Sequence, residues 1–254
     1  MSPYSLSFSV VTYNSEKYIG KLLQSIFDYV KGIDYHIFVI DNGSSDSTVN
    51  IVKSYGSHVT IIESGKNIGF GAAHNSVIEK LDSRYHVIVN PDIYFDSNVV
   101  SAMASYLDEN PDIGMISPKI LYPDGRLQPQ AKRDPKFIYL VSRRMSLGCL
   151  KKYRDRYEML SAGENDVFDI EFASGCFMFM CTALFKKIGG FDTRYFLYFE
   201  DADLSRELRQ HARIEYNPRF CVYHNWERGG ASHLGLLIKQ IVSMFRYLIK
   251  WRKA

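Results

Sequence analysis

Three groups of acidic residues stand where they could do chemistry. Asp41 follows the apolar pair Val39-Ile40, and Asp92 follows Val87-Ile88-Val89-Asn90-Pro91. Glu200, Asp201 and Asp203 follow Phe196-Leu197-Tyr198-Phe199. A carboxylate at a strand's end can accept hydrogen bonds from a nucleobase or ribose, or coordinate a hard cation. Asp and Asn also favour turns and helix caps, so Asp41 and Asp92 taken singly fit either purpose equally. The third group is different. Acids in a first helical turn complement the helix dipole, but that accounts for a surface helix better than for acids beside aromatics. Low-dielectric walls raise a carboxylate's pKa toward the range useful to a general base, which points this cluster to proton transfer.

Other residues carry weaker signals. His224 ends a late apolar stretch and would complete a metal site with Asp92, although a single histidine is more often a satisfied core or surface residue. Ile68-Gly69-Phe70-Gly71 has too few glycines, and lies too late in the chain, for a dinucleotide fingerprint. Cys149, Cys176, Cys181 and Cys221 form no CxxC pair and are expected to be reduced thiols.

These residues need a scaffold, and the first half of the chain alternates strand and helix signals. Ser5–Thr12, His36–Ile40, Val59–Glu63 and Val87–Val89 read as short apolar strands. Lys17–Val30, about Ser47–Ser54 and Gly71–Leu81 read as helices, the first with Ile19, Leu22, Leu23, Ile26 and Val30 at helical spacing. Bounded apolar strands separated by helices predict parallel βαβ units with both sheet faces covered. Ligands of such sheets bind beyond the carboxyl ends of the strands, where Tyr13, Asp41 and Asp92 fall. Gly114–Lys119 is extended, and Tyr122-Pro123-Asp124-Gly125 is a turn. Residues 132–161 are rich in Arg, Lys, Tyr and Met and are expected to be helical, with no assignable chemistry. Val167–Cys181 is extended and interrupted at Ser174-Gly175. A turn at 189–192, a helix over Asp201–Gln210, short strands at Arg213–Tyr216 and Cys221–His224, and a helix over about His233–Arg252 complete the chain.

The 254 residues, 46% of them hydrophobic, with 18 Tyr and 16 Phe, can bury a large core and exclude disordered and collagen-like classes. No apolar run reaches the roughly 18 residues of a spanning helix, and the N-terminus lacks a basic-then-apolar signal, so a cytosolic protein is expected. The net charge of +3 is uneven: residues 228–254 contain six Lys/Arg and no acid, while the remainder is slightly acidic. That is not the distribution of a general nucleic-acid binder. At about 100° per residue, Ser232, Gly235, Lys239, Ser243, Arg246, Lys250 and Lys253 share one line of the terminal helix. Leu234, Leu237, Ile241, Phe245 and Leu248 lie opposite. Such a helix either packs its apolar stripe on the body or lies in a membrane interface with Tyr247, Trp251 and its basic residues near anionic lipid.

Five segments occur in a telling order: Val10-Val11-Thr12-Tyr13-Asn14, Val39 through Asp46, Asn67-Ile68-Gly69-Phe70-Gly71, Asn90-Pro91-Asp92, and Phe199-Glu200-Asp201-Ala202-Asp203-Leu204. Together they resemble the motifs of family-2 inverting glycosyltransferases over about residues 5–225. Asn90-Pro91-Asp92, Ala173 through Met178, and Gly190-Phe191-Asp192 followed by Tyr195-Phe196 are similar to the rhamnosyltransferase branch, which acts on O-antigen and other cell-wall polysaccharide precursors.

The resemblance implies an α/β GT-A fold, a mostly parallel sheet flanked by helices, in residues 1–231, followed by an amphipathic basic helix in 232–254. It implies transfer of a sugar, L-rhamnose from dTDP-rhamnose, to a polyprenyl-diphosphate-linked saccharide at the inner membrane face. Another nucleotide sugar, a UDP-hexose or UDP-N-acetylhexosamine, is the nearest alternative, and a non-catalytic nucleotide-sugar-binding protein the alternative class. Nucleotidyl transfer would want a Gly-rich basic loop where Tyr13-Asn14-Ser15-Glu16 stands. By the same resemblance, Val11, Tyr13 and Asp41 border the nucleobase, Gly69 and Asn90 contact the nucleotide sugar, and Asp201 is the base. Glu200, Asp203, Ser174 and Gly175 contact acceptor or sugar. Asp92 and His224 hold Mg²⁺ or Mn²⁺, although Asn90 replaces the first acid of the usual Asp-x-Asp. Asp41, Asp92 and Asp201 are expected around one pocket.

Overall fold

A computed structural model describes residues 4–129, 132–144, 150–159, 163–226 and 234–252. The first half runs β1 (Tyr4–Thr12), α1 (Ile19–Tyr29), β2 (Tyr35–Asp41), α2 (Thr48–Lys53), β3 (Val59–Glu63), α3 (Phe70–Asn75), β4 (Ser83–Val89), β5 (Ile93–Tyr94), α4 (Val99–Glu109) and β6 (Ile113–Leu121). It continues through α5 (Phe137–Arg144), α6 (Lys151–Tyr157), β7 (Phe168–Asp169), β8 (Phe177–Cys181), α7 (Thr182–Lys187), α8 (Glu200–Leu208), β9 (Arg213–His224) and α9 (Leu234–Lys250).

The strands form a single sheet in the order β3-β2-β1-β4-β8-β6-β9-β5, with β7 also on β9. β1, β2, β3 and β4 pair in parallel, and β6 pairs in parallel with β9. Alternation along each strand feeds two cores. Phe8, Val10, Ile37, Val39, Val87, Val89, Phe177 and Phe179 enter one; Phe38, Ile40, Ile88, Met178 and Met180 enter the other. Burial on both faces explains why these strands read as continuous apolar runs. α1 buries Ile19, Leu22, Leu23 and Ile26, the stripe its spacing predicts.

β1 is the exception on its second face, where it carries Ser7 and Ser9. Ser9 Oγ lies 2.7 Å from His74 Nδ1 and 2.9 Å from His86 Nε2, and Ser7 Oγ lies 2.8 Å from His86 Nδ1. Both imidazoles are buried and held neutral by desolvation, His86 down to about 3 and His74 well below its ordinary value, with the His86 charge a lesser cause for His74.

The topology makes the site. β2 and β3 extend the sheet to one side of β1, and β4 to the other, so a crevice opens beyond the carboxyl ends of β1 and β4. β8 runs antiparallel to β4, which brings the residues preceding β8 to that same end: Asn90 N–H donates to Cys176 O at 2.9 Å. β9 ends there as well, with His224 opposite Ile93 and Asn225 N–H donating to Asp92 O at 2.9 Å.

Several elements differ from expectation. The helix predicted over 71–81 is α3 followed by a separate 3-10 turn at Ile78–Lys80. The short strands 213–216 and 221–224 are one strand, β9, whose register against β6 jumps from Pro118↔Asn217 to Lys119↔Cys221, a bulge imposed where Pro218 cannot donate. α4 and α7 were not predicted. Residues 132–161 contain α5 and α6 within their described part. Cys176, Cys181 and Cys221 are free thiols; Cys149 lies outside the described residues.

α9 docks on the body by the face opposite its apolar stripe. Its polar line faces the body: Ser243 Oγ donates to Leu197 O at 3.0 Å, Arg246 bonds Arg194 O, and Lys239 Nζ sits 3.8 Å over the Phe196 ring. Lys250 Nζ reaches Asp203 at 2.7 Å, Glu207 at 2.9 Å and Asp192 at 3.3 Å. The carboxylates on and beside α8 attract this basic line, and Tyr247 is buried between Phe199 and its neighbours. Ile241 and Phe245 of the apolar stripe are exposed, whereas Leu248 packs beside Tyr247. Ser232 and Lys253 lie outside the described residues.

Candidate active site

Tyr198 and Phe199 both adopt φ of +71°, a left-handed conformation that costs bulky residues on the order of 1–3 kcal/mol each. The strain turns the chain so that α8 begins with its acids at the crevice. Asp201 is half-buried there. Its Oδ2 accepts the Gly175 N–H at 3.1 Å and its Oδ1 the N–H of Ala202 at 2.9 Å, so the carboxylate is oriented while keeping lone pairs for a third donor. Burial raises its pKa, opposed by the Lys132 ammonium and the backbone donors. Glu200, only 5% exposed, is pushed up to about 8 by burial and then by the Asp201 charge. Two adjacent carboxyls in a dry site cannot both ionise cheaply. The proton resides on Glu200, which lacks Asp201's ammonium neighbour and its Gly175 contact, and Asp201 stays ionised.

The same cavity also holds Asp92 and His224. Gln128 Nε2 donates to His224 O at 2.8 Å, which turns Gln128 Oε1 toward His224 Nδ1 at 2.9 Å. Nδ1 therefore carries a hydrogen, and in the neutral ring Nε2 presents a lone pair. That lone pair lies 3.2 Å from Asp92 Oδ1, and both atoms are buried without a hydrogen-bond partner. Two facing acceptors call for a cation between or beside them. One imidazole nitrogen and one carboxylate oxygen fit a divalent cation whose remaining positions are filled by phosphate oxygens and water. No cluster of three or more His, Cys, Asp or Glu able to hold a metal occurs among the described residues, so such a cation would need the substrate's oxygens.

Asp92, Asn90, Ser174, Gly175, Glu200, Asp201 and His224 all line one cavity of about 590 Å³, within the usual range for small-molecule sites. Cys176, its thiol pushed up to about 12 by burial, also lines it and is no nucleophile. Sequence reasoning missed Gln128, Lys132, Phe70, Tyr122 and Trp226 on the same walls. Lys132 sits in a basic stretch and Gln128 after a turn, and neither position carries a spacing signal.

Two expectations are corrected. Asp203 does not face the cavity: it is 1% exposed, accepts from Lys250 Nζ and from Trp251 Nε1 at 2.8 Å, and belongs to the α8–α9 contact. A helix turns about 100° per residue, so an acid two positions beyond Asp201 points away from it. Asp41 lies outside the cavity lining. Its Oδ2 accepts the N–H groups of Gly43 and Ser44 at 3.0 Å each, and its Oδ1 the Thr12 hydroxyl at 3.2 Å, which is turn chemistry. Val11 and exposed Tyr13 lie at the adjacent end of β1, paired with β2 through Thr12↔Asp41. Asn42 Nδ2 donates to Gly69 O at 3.3 Å, and Gly69 leads into Phe70 on the cavity wall. This strand-end group therefore adjoins the cavity through the Gly69 loop.

The profile of "Glycosyl transferase family 2" matches residues 7–189. The N-acetylglucosaminyl-diphospho-decaprenol L-rhamnosyltransferase of Mycobacterium tuberculosis is 26% identical over 245 residues, 88% of this chain and 78% of that protein. Rhamnosyltransferase WbbL of Escherichia coli K12 is 26% identical over 254 residues, 96% of this chain and 92% of its own. Among solved structures, the mannosyltransferase PcManGT of Pyrobaculum calidifontis, in complex with GDP-Man and Mn²⁺, superposes with a TM-score of 0.67 at 17% identity, over 99% of this chain and 65% of that one. The expected GT-A-like α/β architecture, with its curled and mostly parallel sheet, is thereby shared.

Proposed function

The chain belongs to glycosyl transferase family 2, and from that premise we propose that it transfers L-rhamnose from dTDP-rhamnose to a lipid-linked saccharide with inversion at the anomeric carbon. The observation that carries the reading is the meeting, in one cavity, of an oriented carboxylate at Asp201 with the facing atoms of Asp92 and His224. The names of the two relatives support rhamnosyl transfer, and that of the mycobacterial protein supports a lipid-linked acceptor.

In this reading the acceptor hydroxyl donates its hydrogen bond to Asp201, whose orientation by Gly175 and Ala202 aims a lone pair at the incoming proton. Glu200, holding its own proton, adds no competing charge. The hydroxyl oxygen attacks the anomeric carbon, the bond to the diphosphate breaks, the proton passes to Asp201, and dTDP departs as an anion. A divalent cation, Mg²⁺ or Mn²⁺, held by Asp92 and His224, would neutralise that departing charge. Lys132 places a further positive charge on the cavity lining. Asn90 lines the diphosphate side, Ser174 and Gly175 border the reacting sugar, and Val11, Tyr13 and Gly69 border the nucleobase at the ends of β1 and β2, where Asp41 holds the adjoining turn.

The test is a thermal-shift and turnover series with dTDP-, UDP- and GDP-sugars, with and without Mg²⁺ or Mn²⁺. Native-state ligands raise stability by mass action. dTDP-rhamnose with cation is expected to give the largest shift and to release dTDP when a polyprenyl-diphosphate saccharide is added. A larger shift and turnover with a UDP-sugar would replace the donor, and no shift with any nucleotide would refute the reading.

A further inference from the structure

We propose that the outward stripe of α9 is a docking surface for an anionic lipid bilayer. Ile238, Ile241, Val242, Phe245 and Ile249 are 53%, 41%, 42%, 52% and 71% exposed. They recur at i, i+3, i+4, i+7 and i+11, one continuous face about 16 Å long. Large side chains scattered singly over a surface are ordinary, but five on one helical face form a patch that wants cover. They face outward because the polar line of the helix is occupied by Leu197, Asp203 and Glu207.

Charge selects the occupant. α9 contains no acidic residue, Lys239 and Arg246 border the stripe on one side, exposed even though their charged ends also touch Phe196 and Arg194 of the body, and exposed Arg252 follows its end. An anionic headgroup layer complements that border. A second copy of this chain would bring two basic borders together and is disfavoured. No helix among the described residues is long and apolar enough to cross a membrane, so the contact is interfacial: the apolar face sinks into the headgroup and acyl boundary while the helix lies in its plane.

Gln240 of the same helix lines the cavity that holds Asp92 and Asp201. The site's rim thus stands about one helix diameter, roughly 10 Å, from the lipid, within reach of a saccharide whose tail remains in the bilayer. That purpose rests on the proposed function, whereas the lipid contact does not.

The experiment is flotation of the full chain with phosphatidylglycerol-containing vesicles or with phosphatidylcholine vesicles, at low and high salt. Its comparison is the variant Ile238→Ser/Phe245→Ser/Ile249→Ser, which changes only exposed side chains. The unaltered chain is expected on anionic vesicles, with release by salt. The variant should lose at least about tenfold of that binding, since partition falls steeply with apolar area, while keeping its Tm and any nucleotide-induced shift. Equal flotation of both proteins would overturn the proposal, as would absence of the unaltered chain from anionic vesicles. So would a concentration-dependent dimer that the variant dissolves, because the stripe would then be covered by a second copy. Vesicle binding by a chain that responds to no nucleotide would leave the surface standing and remove the transferase reading alone.

Discussion

Lys250 Nζ lies 2.7 Å from Asp203 Oδ2, so the last residue of α9 is clamped to the buried side of α8, the helix whose first turn carries Asp201. Burial raises the Asp203 pKa, and the Lys250 and Trp251 hydrogen bonds oppose that rise. Lys250→Ala would strand a buried carboxylate; because the lysine itself is partly solvated, the expected loss is about 2–3 kcal/mol rather than the full cost of a buried pair. Undocking of α9 should appear as a shifted Trp251 emission and faster amide exchange confined to residues 234–252. Asp203→Asn combined with Lys250→Met should recover most of the loss. Unchanged emission and exchange in Lys250→Ala would show that the clamp does not hold the helix.

Asp201→Asn preserves the shape of the site but removes the proton acceptor and leaves one of its two backbone donors facing an amide NH2. Transfer is expected to fall by about 10²–10⁴, with the thermal shift produced by nucleoside diphosphate retained. Measuring dTDP release in parallel with calorimetric binding separates the two. Turnover near that of the unaltered protein would move the base to another residue.

Much of this was legible in the sequence because buried parallel strands are apolar runs with sharp ends: Val59–Glu63 is β3 to the residue, and the turn residues Asp41 and Asn90 through Asp92 mark true strand ends. α4 carries Val99, Val100, Met103, Ala104 and Leu107 at helical spacing and was legible in principle. About 200° of helix turn likewise separates Asp203 from Asp201 and points the two side chains to different faces. Other features depend on residues remote in sequence. Gln128 matters only because His224, 96 positions later, stacks its Nδ1 against it. The inverted docking of α9 depends on Asp192, Asp203 and Glu207 meeting Lys250, a long-range match that a helical wheel cannot contain.

Gln128 fixes the tautomer of His224, so it should govern cation affinity without touching the cation. Gln128→Ala is expected to weaken Mn²⁺-dependent nucleoside diphosphate binding by about 10–100-fold, the range typical for partners of ligating histidines. His224→Ala and Asp92→Ala should do so at least as strongly. Binding measured in chelator should be nearly equal in all four proteins. If calorimetric affinity with Mn²⁺ is the same in Gln128→Ala and the unaltered chain, the facing pair does not hold a metal.

Stability should peak near pH 6.5, because two sets of buried groups pull in opposite directions. His74 and His86 have folded pKa values depressed below their unfolded value near 6.5. The unfolded chain therefore binds more protons below that pH. Their contribution is complete above pH 6.5 and is lost as pH falls toward the folded value of about 3 for His86, with a slope of up to about 1.4 kcal/mol per pH unit for each histidine. Glu200 has the reverse sign. Its folded pKa, raised from 4.5 to about 8, makes the folded chain bind the extra proton, so its contribution is present below pH 4.5 and declines as pH rises to about 8. Between 4.5 and 6.5 two histidines outweigh one glutamate, and above 6.5 the glutamate acts alone. Urea denaturation across pH 4.5–9 should show Glu200→Gln abolishing the alkaline decline and a His86→Leu/Ser7→Ala/Ser9→Ala variant roughly cancelling the slope between pH 4.5 and 6.5, where one histidine is then left against one glutamate. A unaltered-chain profile flat from pH 5 to 8 would mean that these groups titrate alike in the folded and unfolded states, and that the dry environments assigned to Glu200 and the two histidines are wrong.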